Sequence, residues 1–456
     1  MLTKGGNAGA GNGISPTMDK EAAKQKAIEA IDEYSEKLLE FTRDIWAHPE
    51  LGYKEHRTAG KVKEFFDELG MTYESEIAIT GIRADLRGKD SAVRIAVLGE
   101  LDAVTCKDHP DADPDTGAVH ACGHHSQLAV MLGTAVAMSQ TDLMEHLAGD
   151  LAFIAVPAEE FVELDYRSKI RDEGKIEFFG GKQELIRLGV LDDVDMAAMI
   201  HLEGDAPERI MKIAEGTNGF LGKTVRYVGQ EAHAGGAPDK GINALNAAML
   251  GLMGIHAQRE TFKDEDSIRI HPIITRGGDL VNIVPADVAI ETYVRGRSID
   301  AILDANSKVN RALRGGAMAI GAEVVIDEIP GYLPVRTDLG LMEAFNANAR
   351  ALIGEDNVQV SKFIGGSTDM GDISHIMPAI HPMVGGVAGS AHARDYRVVD
   401  EDMANIVPAK AMAMTLIDLL WDDAAEAKSI KEEFEPVYTK EAYLQMWRDV
   451  VEKSKE

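Results

Sequence analysis

The chain has 456 residues, 45% of them hydrophobic, which is ample for burial but too long for one ordinary core, so two domains are expected. Lys and Arg total 47 against 76 Asp and Glu, a net charge of -29 at pH 7, which repels nucleic acid and anionic membranes and argues against both as partners. No apolar run reaches the ~18 residues of a membrane span, and the two cysteines, Cys106 and Cys122, exclude a disulfide framework and fit a reducing, cytoplasmic setting.

In chain order, residues 1–17 are Gly-rich, lack the apolar core of a signal peptide and read as a flexible leader. From Asp19 to about Phe65 the pattern is helical and charged, with Trp46 ahead of the turn HPELGYKEH, and a helix is expected over Thr58–Leu69. The pattern then changes period. Val93–Val97 is a short β-rich run ending in Gly99, Glu100, Leu101 and Asp102. Leu151–Val156 is another, followed by Glu159 and Glu160. Val194–Ile200 ends at His201, and His381–Val387 leads through a Gly-rich turn to His392. Each run delivers a carboxylate or imidazole just past its end, and in open α/β sheets that edge is where ligands gather.

Between the first two runs lies HACGHH, His120 to His125, which feeds an apolar helix marked by Leu128, Met131, Leu132, Ala135 and Val136. Ser126 is expected to cap that helix, leaving Cys122 and His124 in a loop at its N-terminus, where the helix dipole favours thiolate. The segment 217–336 has its own order: strand Lys223–Val228, helix Asn243–Gln258, strands Ile268–Thr275 and Ala286–Arg295, helix Ala301–Ala319 and strand Glu323–Asp327. This βαββαβ order is ferredoxin-like and suits an inserted domain with adjacent ends. After it come a helix over Leu339–Leu352, a polar loop over Gly365–Asp372 and an apolar helix over Asp402–Leu420. The expected organisation is therefore a catalytic domain formed by 18–216 together with 337–456, interrupted by the insert over 217–336.

Cys122, His124, His201 and His392 with the carboxylates Glu160 and Asp102 form a mixed thiolate, imidazole and carboxylate set. It suits Zn²⁺, Mn²⁺ or Co²⁺ better than Ca²⁺ or Mg²⁺. Extended neighbours point apart, so Glu160 is expected to face a metal and Glu159 a water to be deprotonated. Other histidines, namely His48, His56, His109, His146, His256, His271, His375 and His120, read as ordinary packing or loop residues. Arg226, Arg295, Arg297 and Arg394 are available to a substrate carboxylate, but each reads first as a surface ion-pair partner.

The ordered segments GELDAV, HACGHH, VPAEE, VRYVGQEAHAGGAPDKGINALNAAM, NIVPADVAIETYVRG, STDMGDIS and GSAHARDY resemble the aminoacylase and carboxypeptidase clan of dinuclear metallopeptidases, peptidase family M-twenty. The likeness is nearest to the amidohydrolase branch with aminobenzoyl-glutamate and indole-acetyl-amino-acid hydrolases. The resemblance implies an α/β fold. A zinc-peptidase-like catalytic domain has helices on both faces of a mixed sheet, and the insert is a lid and dimerisation domain. It implies two divalent ions (Mn or Zn, with Co as a further choice) bridged by Cys122 and held by His124, Glu160, His201 and His392, with Glu159 as general base and acid. Asp102 would orient a metal-bound histidine. His233 would reach the partner's active site to stabilise an oxyanion, Asn282 would contact substrate, and the protein would be a homodimer or higher oligomer.

Two features depart from many relatives: His125 follows the CGH triplet where Asp or Asn is usual, and the segment Phe161–Lys182 is longer. That segment mixes acids and bases and reads first as a solvated insertion, second as a wall shaping substrate choice. The expected function is metal-dependent hydrolysis of an amide joining an acyl or aroyl group to an amino acid. The alternatives are a dipeptidase, an aryl-amine hydrolase that releases ammonia, or a catalytically silent binding protein.

Overall fold

Alternation of side chains along two adjacent strands decides the larger domain. In the Arg94–Glu100 strand, Ile95 and Val97 enter one core while Ala96 and Leu98 enter another. Asp150–Val156 repeats the division, with Leu151, Phe153 and Ala155 on one side and Ala152, Ile154 and Val156 on the other. A strand buried on both faces needs helices on both faces. The computed structural model, which describes residues 18–453 and so leaves the expectation for 1–17 outside the described residues, supplies them. One core is built with helices Lys20–Glu33, His124–Ser139 and Val407–Leu420, the other with Leu164–Asp172, Gly181–Leu188 and Lys440–Lys453. Each fully buried Leu, Ile or Phe of these strands contributes roughly 1.5–3 kcal/mol.

The six-stranded sheet runs in the order Tyr73–Ile77, Gly81–Leu86, Asp150–Val156, Arg94–Glu100, Met196–Ala198, Ala379–Ile380. Its last four strands are parallel, with Glu100 opposite Val156 and Ala96 opposite Ala197. The run expected over Val194–Ile200 is divided. Met196–Ala198 stays in this sheet, whereas His201–Leu202 pairs with Met383–Val384 in a second sheet. The Asp402–Leu420 helix opens with a π turn over Asp402–Ile406, next to Pro408, which lacks the N–H of a regular turn. By length and composition this helix is apolar enough to cross a membrane, unlike the sequence expectation, but 89% of its most apolar window is buried in protein.

The chain enters the insert beside the point where it leaves it, Gly216 bridging Arg336. Between them, strands Gly219–Val228, Asp287–Gly296 and Glu323–Ile329 pair antiparallel and carry helices Ala244–Ala257 and Ile299–Ile320 over a separate core. The single strand expected over Ile268–Thr275 is two pieces, Arg269–Ile270 and Ile273–Arg276, both paired with Asp287–Gly296. The interruption falls at Pro272, which has no N–H to offer a ladder.

Candidate active site

Four strand ends and one helix start converge on a cleft of about 480 Å³, lined by Cys122, Glu159, Glu160, His201, His381 and His392, among others. The helix begins earlier than expected, at His124. Gly123, with φ 91°, precedes it, and Ser126 lies inside the first turn instead of capping it. A side chain at Gly123 would meet the Tyr396 hydroxyl at 2.7 Å and Leu202 Cβ at 2.9 Å, so only glycine fits this turn. Every residue from His124 to Met138 is buried, which anchors the loop that carries Cys122.

Cys122 belongs to two donor groups: one with His124 and His201, the other with Glu160 and His392. Its Sγ lies 3.3 Å from His201 Nε2, and His392 Nε2 lies 3.1 Å from Glu160 Oε1. His124 Nδ1 donates to the Asp102 carbonyl at 2.8 Å and His201 Nδ1 to the Leu202 carbonyl at 2.7 Å. Because a carbonyl only accepts, each Nδ1 carries the proton and each Nε2 presents its lone pair. His124 Nε2 and Glu160 Oε1 are buried, and each faces another candidate donor atom, Glu100 Oε2 at 3.0 Å and His392 Nε2 at 3.1 Å. These donor atoms, with a shared thiolate, fit a pair of ions that accept sulfur, nitrogen and oxygen.

The carboxylates divide in character. Burial, then Glu100 and Glu160, push Glu159 well above the ordinary carboxyl range. Burial opposes ionisation of Glu160 too, but the protonated His392 ring, by its charge and hydrogen bond, holds it down at about 2. At Cys122, burial and Glu160 work against the thiolate, and His201, His392 and His124, when protonated, outweigh them to bring it to about 6. Two adjacent carboxyl groups pushed apart in this way give one proton carrier and one permanent anion. The expectation that they point apart is corrected in part: Ala158, at φ 52°, turns the chain out of the strand, and both side chains line the cleft.

Asp102 does not face the cleft. Its Oδ1 lies 3.2 Å from His124 Nδ1, and its Oδ2 accepts from the Glu160 backbone N–H at 2.8 Å. His125 turns the other way, buried against Trp46 and His120, and belongs to no donor group among the described residues. His233 and Asn282 are exposed on the insert, 3.4 Å apart, and do not line this cleft. Of the arginines, Arg226 pairs with Asp287 as expected, but Arg295 departs from that reading. It lines the cleft against Phe220 and Tyr293, and its hydrogen bonds go to His271 and Ser367.

Sequence reasoning missed four groups. Glu100 Oε2 lies 3.0 Å from His124 Nε2, and Glu100 Oε1 takes an ion pair from Lys182, which also holds Asp369. Glu100 sat in view at its strand end, in GELDAV. Asp369 stood in STDMGDIS, whereas a lysine at the end of a mixed-charge segment carries no sign of complete burial. His381, its ring 5.5 Å from that of His201, opens an apolar run in the sequence and carries no local sign of a place in the cleft. The Phe161–Lys182 segment is solvated on one face only: Glu163, Asp165, Lys169, Asp172, Glu173 and Lys175 are exposed, whereas Phe161, Leu164, Arg167, Ile170, Phe178, Phe179 and Lys182 are buried.

The parallel sheet edge and the shared-thiolate donor set are those of a metallopeptidase-type hydrolase that cleaves amide bonds. The chain belongs to peptidase family M20/M25/M40, whose model matches residues 96–415. It is 30% identical to the Xaa-Arg dipeptidase of Mus musculus over 92% of this chain and 94% of that protein. It is 25% identical to the N-acetylcysteine deacetylase of Bacillus subtilis (strain 168) over 72% of this chain and 83% of that protein. Among solved structures it is similar to a dinuclear metal-binding M20 peptidase of Bacillus subtilis, with a TM-score of 0.64 and 22% identity over 85% of this chain and 99% of the other.

Proposed function

We propose that the protein hydrolyses the amide between an acyl, aroyl or aminoacyl group and an amino acid with a free carboxylate, using two divalent ions, Mn²⁺ or Zn²⁺. The observation that carries this reading is the pair of donor groups sharing Cys122 with Glu159 beside them. When bound, the ions supply Lewis acidity to the carbonyl and acidify a water. Glu159 then takes the proton of the attacking water and hands it to the leaving amine nitrogen. Arg295, whose neighbours are neutral side chains and aromatic rings, is suited to hold the substrate carboxylate, and the walls formed by Phe161, Phe220, Tyr293 and Tyr332 suit an apolar acyl group. The relatives named for dipeptides and for an N-acyl amino acid support this class.

The same proposal includes a homodimer. His233 and Asn282 lie outside their own subunit's cleft, on an insert that exposes Met253, Ile273, Leu280 and Val281, each more than half accessible. Exposed apolar side chains of this kind suit burial against a second copy, which would bring the partner's His233 to the developing oxyanion. Both cysteines are free, which suits a cytoplasmic location.

The test is a parallel screen of dipeptides, N-acyl amino acids, aroyl-glutamate and amino-aromatics on protein reconstituted with metal, alongside Glu159→Gln. Turnover confined to amides of amino acids, with Glu159→Gln inactive at normal metal content, is expected. Ammonia release from amino-aromatics alone would overturn the substrate class. Substrate binding without product would favour a silent binding protein.

A further inference from the structure

We propose that the Phe161–Lys182 segment is a positioning clamp for the metal-binding turn Ala158–Glu160, acting through Arg167. The inference rests on reading Cys122, Glu160 and His392 as one ion site.

The clamp is visible in how that turn is held. The Ala158 N–H donates to Glu55 Oε1 at 2.8 Å, and the Ala158 carbonyl accepts from the Gly181 N–H at 3.2 Å. The Glu159 carbonyl accepts from the Tyr332 hydroxyl, and the Glu160 N–H donates to Asp102 Oδ2 at 2.8 Å. The Glu160 carbonyl accepts from the Val162 N–H at 3.0 Å and from Arg167 Nη2. These partners come from separate parts of the chain, so the turn is fixed from several sides while its two carboxylates stay free to face the cleft. Arg167 is the one cation among these partners.

Local structure puts Arg167 there. The helix Leu164–Asp172 buries Leu164, Arg167 and Ile170, three apart, on its inner face. The guanidinium is fully buried, with Nη1 donating to the Phe179 carbonyl at 2.8 Å and its central carbon 5.5 Å from the Tyr53 ring. Its hydrogen bonds go to carbonyls instead of a carboxylate. Burying a guanidinium on those terms is costly for packing alone. The fork is what a rigid two-carbonyl clamp requires. Room for it is made by Gly52, in HPELG, where a Cβ would collide with Arg167 Nη2.

The far end of the segment serves the other half of the site. Lys182 is buried between Glu100 and Asp369, and Glu100 in turn faces His124 Nε2. One segment thus sends a buried cation behind each donor group. It holds the donors' supports without occupying the atoms that the ions need.

The test compares wild type, Arg167→Met and Arg167→Lys in the full chain. Zn²⁺ affinity is measured by chelator competition, and the thiolate charge-transfer absorption is recorded after Co²⁺ substitution. Arg167→Met is expected to weaken one of the two ions by about 10–100-fold and to shift the Co²⁺ spectrum, with Arg167→Lys intermediate because it keeps charge but loses the fork. Wild-type affinity for both ions and an unchanged Co²⁺ spectrum would overturn the proposal, whatever happens to thermal stability. If Arg167→Met does not fold, Arg167→Lys decides by the same two readouts. A wild-type chain that binds fewer than two ions would instead overturn the dinuclear reading, and that failure shows without any substitution.

Discussion

Replacing Asp102 by asparagine isolates the orientation of the metal donors from their identity. Asp102 is fully buried and accepts two fixed N–H groups: His124 Nδ1 at 3.2 Å on Oδ1 and the Glu160 backbone at 2.8 Å on Oδ2. A carboxamide has a single oxygen, so its NH₂ must face one of these donors. His124 keeps its bond to the Asp102 carbonyl at 2.8 Å, and the tautomer survives. The favourable orientation therefore keeps the oxygen on Glu160 and sets NH₂ against His124. Losing one hydrogen bond to a charged acceptor costs about 1.5–3 kcal/mol, or roughly 10- to 150-fold in a binding constant. The retained carbonyl bond puts Asp102→Asn near the lower end of that range for metal affinity. Asp102→Ala, which abandons the Glu160 N–H as well, should be worse and should also lower Tm. Chelator competition and thermal melting on the two variants measure this. If Asp102→Asn binds both ions as tightly as wild type, Asp102 does not orient His124 and the reasoning fails.

Arg295→Met should raise KM about tenfold or more for substrates with a free carboxylate, given the strength of charge-assisted hydrogen bonds, and leave their amidated counterparts unchanged. Equal effects on both would remove Arg295 as the anchor. Asp372 gives a pH prediction: burial, opposed mainly by the Tyr443 hydroxyl, lifts it to about 8. Its folded-state pKa lies above the unfolded value of about 3.9, so its contribution to stability is complete at acid pH and is lost as pH rises towards 8. The stability of wild type relative to Asp372→Asn should fall across that window, by at most about 1.4 kcal/mol per pH unit, and a constant difference would refute it. If the proposed dimer forms, mixing inactive Glu159→Gln with inactive His233→Ala should restore turnover, since one site of each mixed dimer would have its own Glu159 and the partner's His233. Mixtures that stay inactive while exchanging subunits would show that His233 does not act across the interface.

The donor residues were legible because metal chemistry restricts side-chain type and because strand ends carry them in recognisable order. Cys122, His124, Glu160, His201 and His392 come together in space, as does Glu159 beside them. Their supports were harder to read. Lys182 and Arg167 look like the surface charges of a mixed segment, and only the partners they meet, Glu100, Asp369 and the Glu160 carbonyl, explain their burial. Arg295 likewise reads as a surface cation until its neighbours prove to be Phe220, Tyr293, His271 and Ser367.

Periodicity and residue chemistry, both local properties, were enough to mark the main strands, the inserted βαββαβ unit and the candidate ligands, including the helix that follows HACGHH. Local sequence cannot state which distant group satisfies a buried charge, because that depends on long-range approach. Tertiary structure alone therefore decided that Lys182 is buried between Glu100 and Asp369, that His125 turns towards Trp46, and that Phe161–Lys182 packs behind the site.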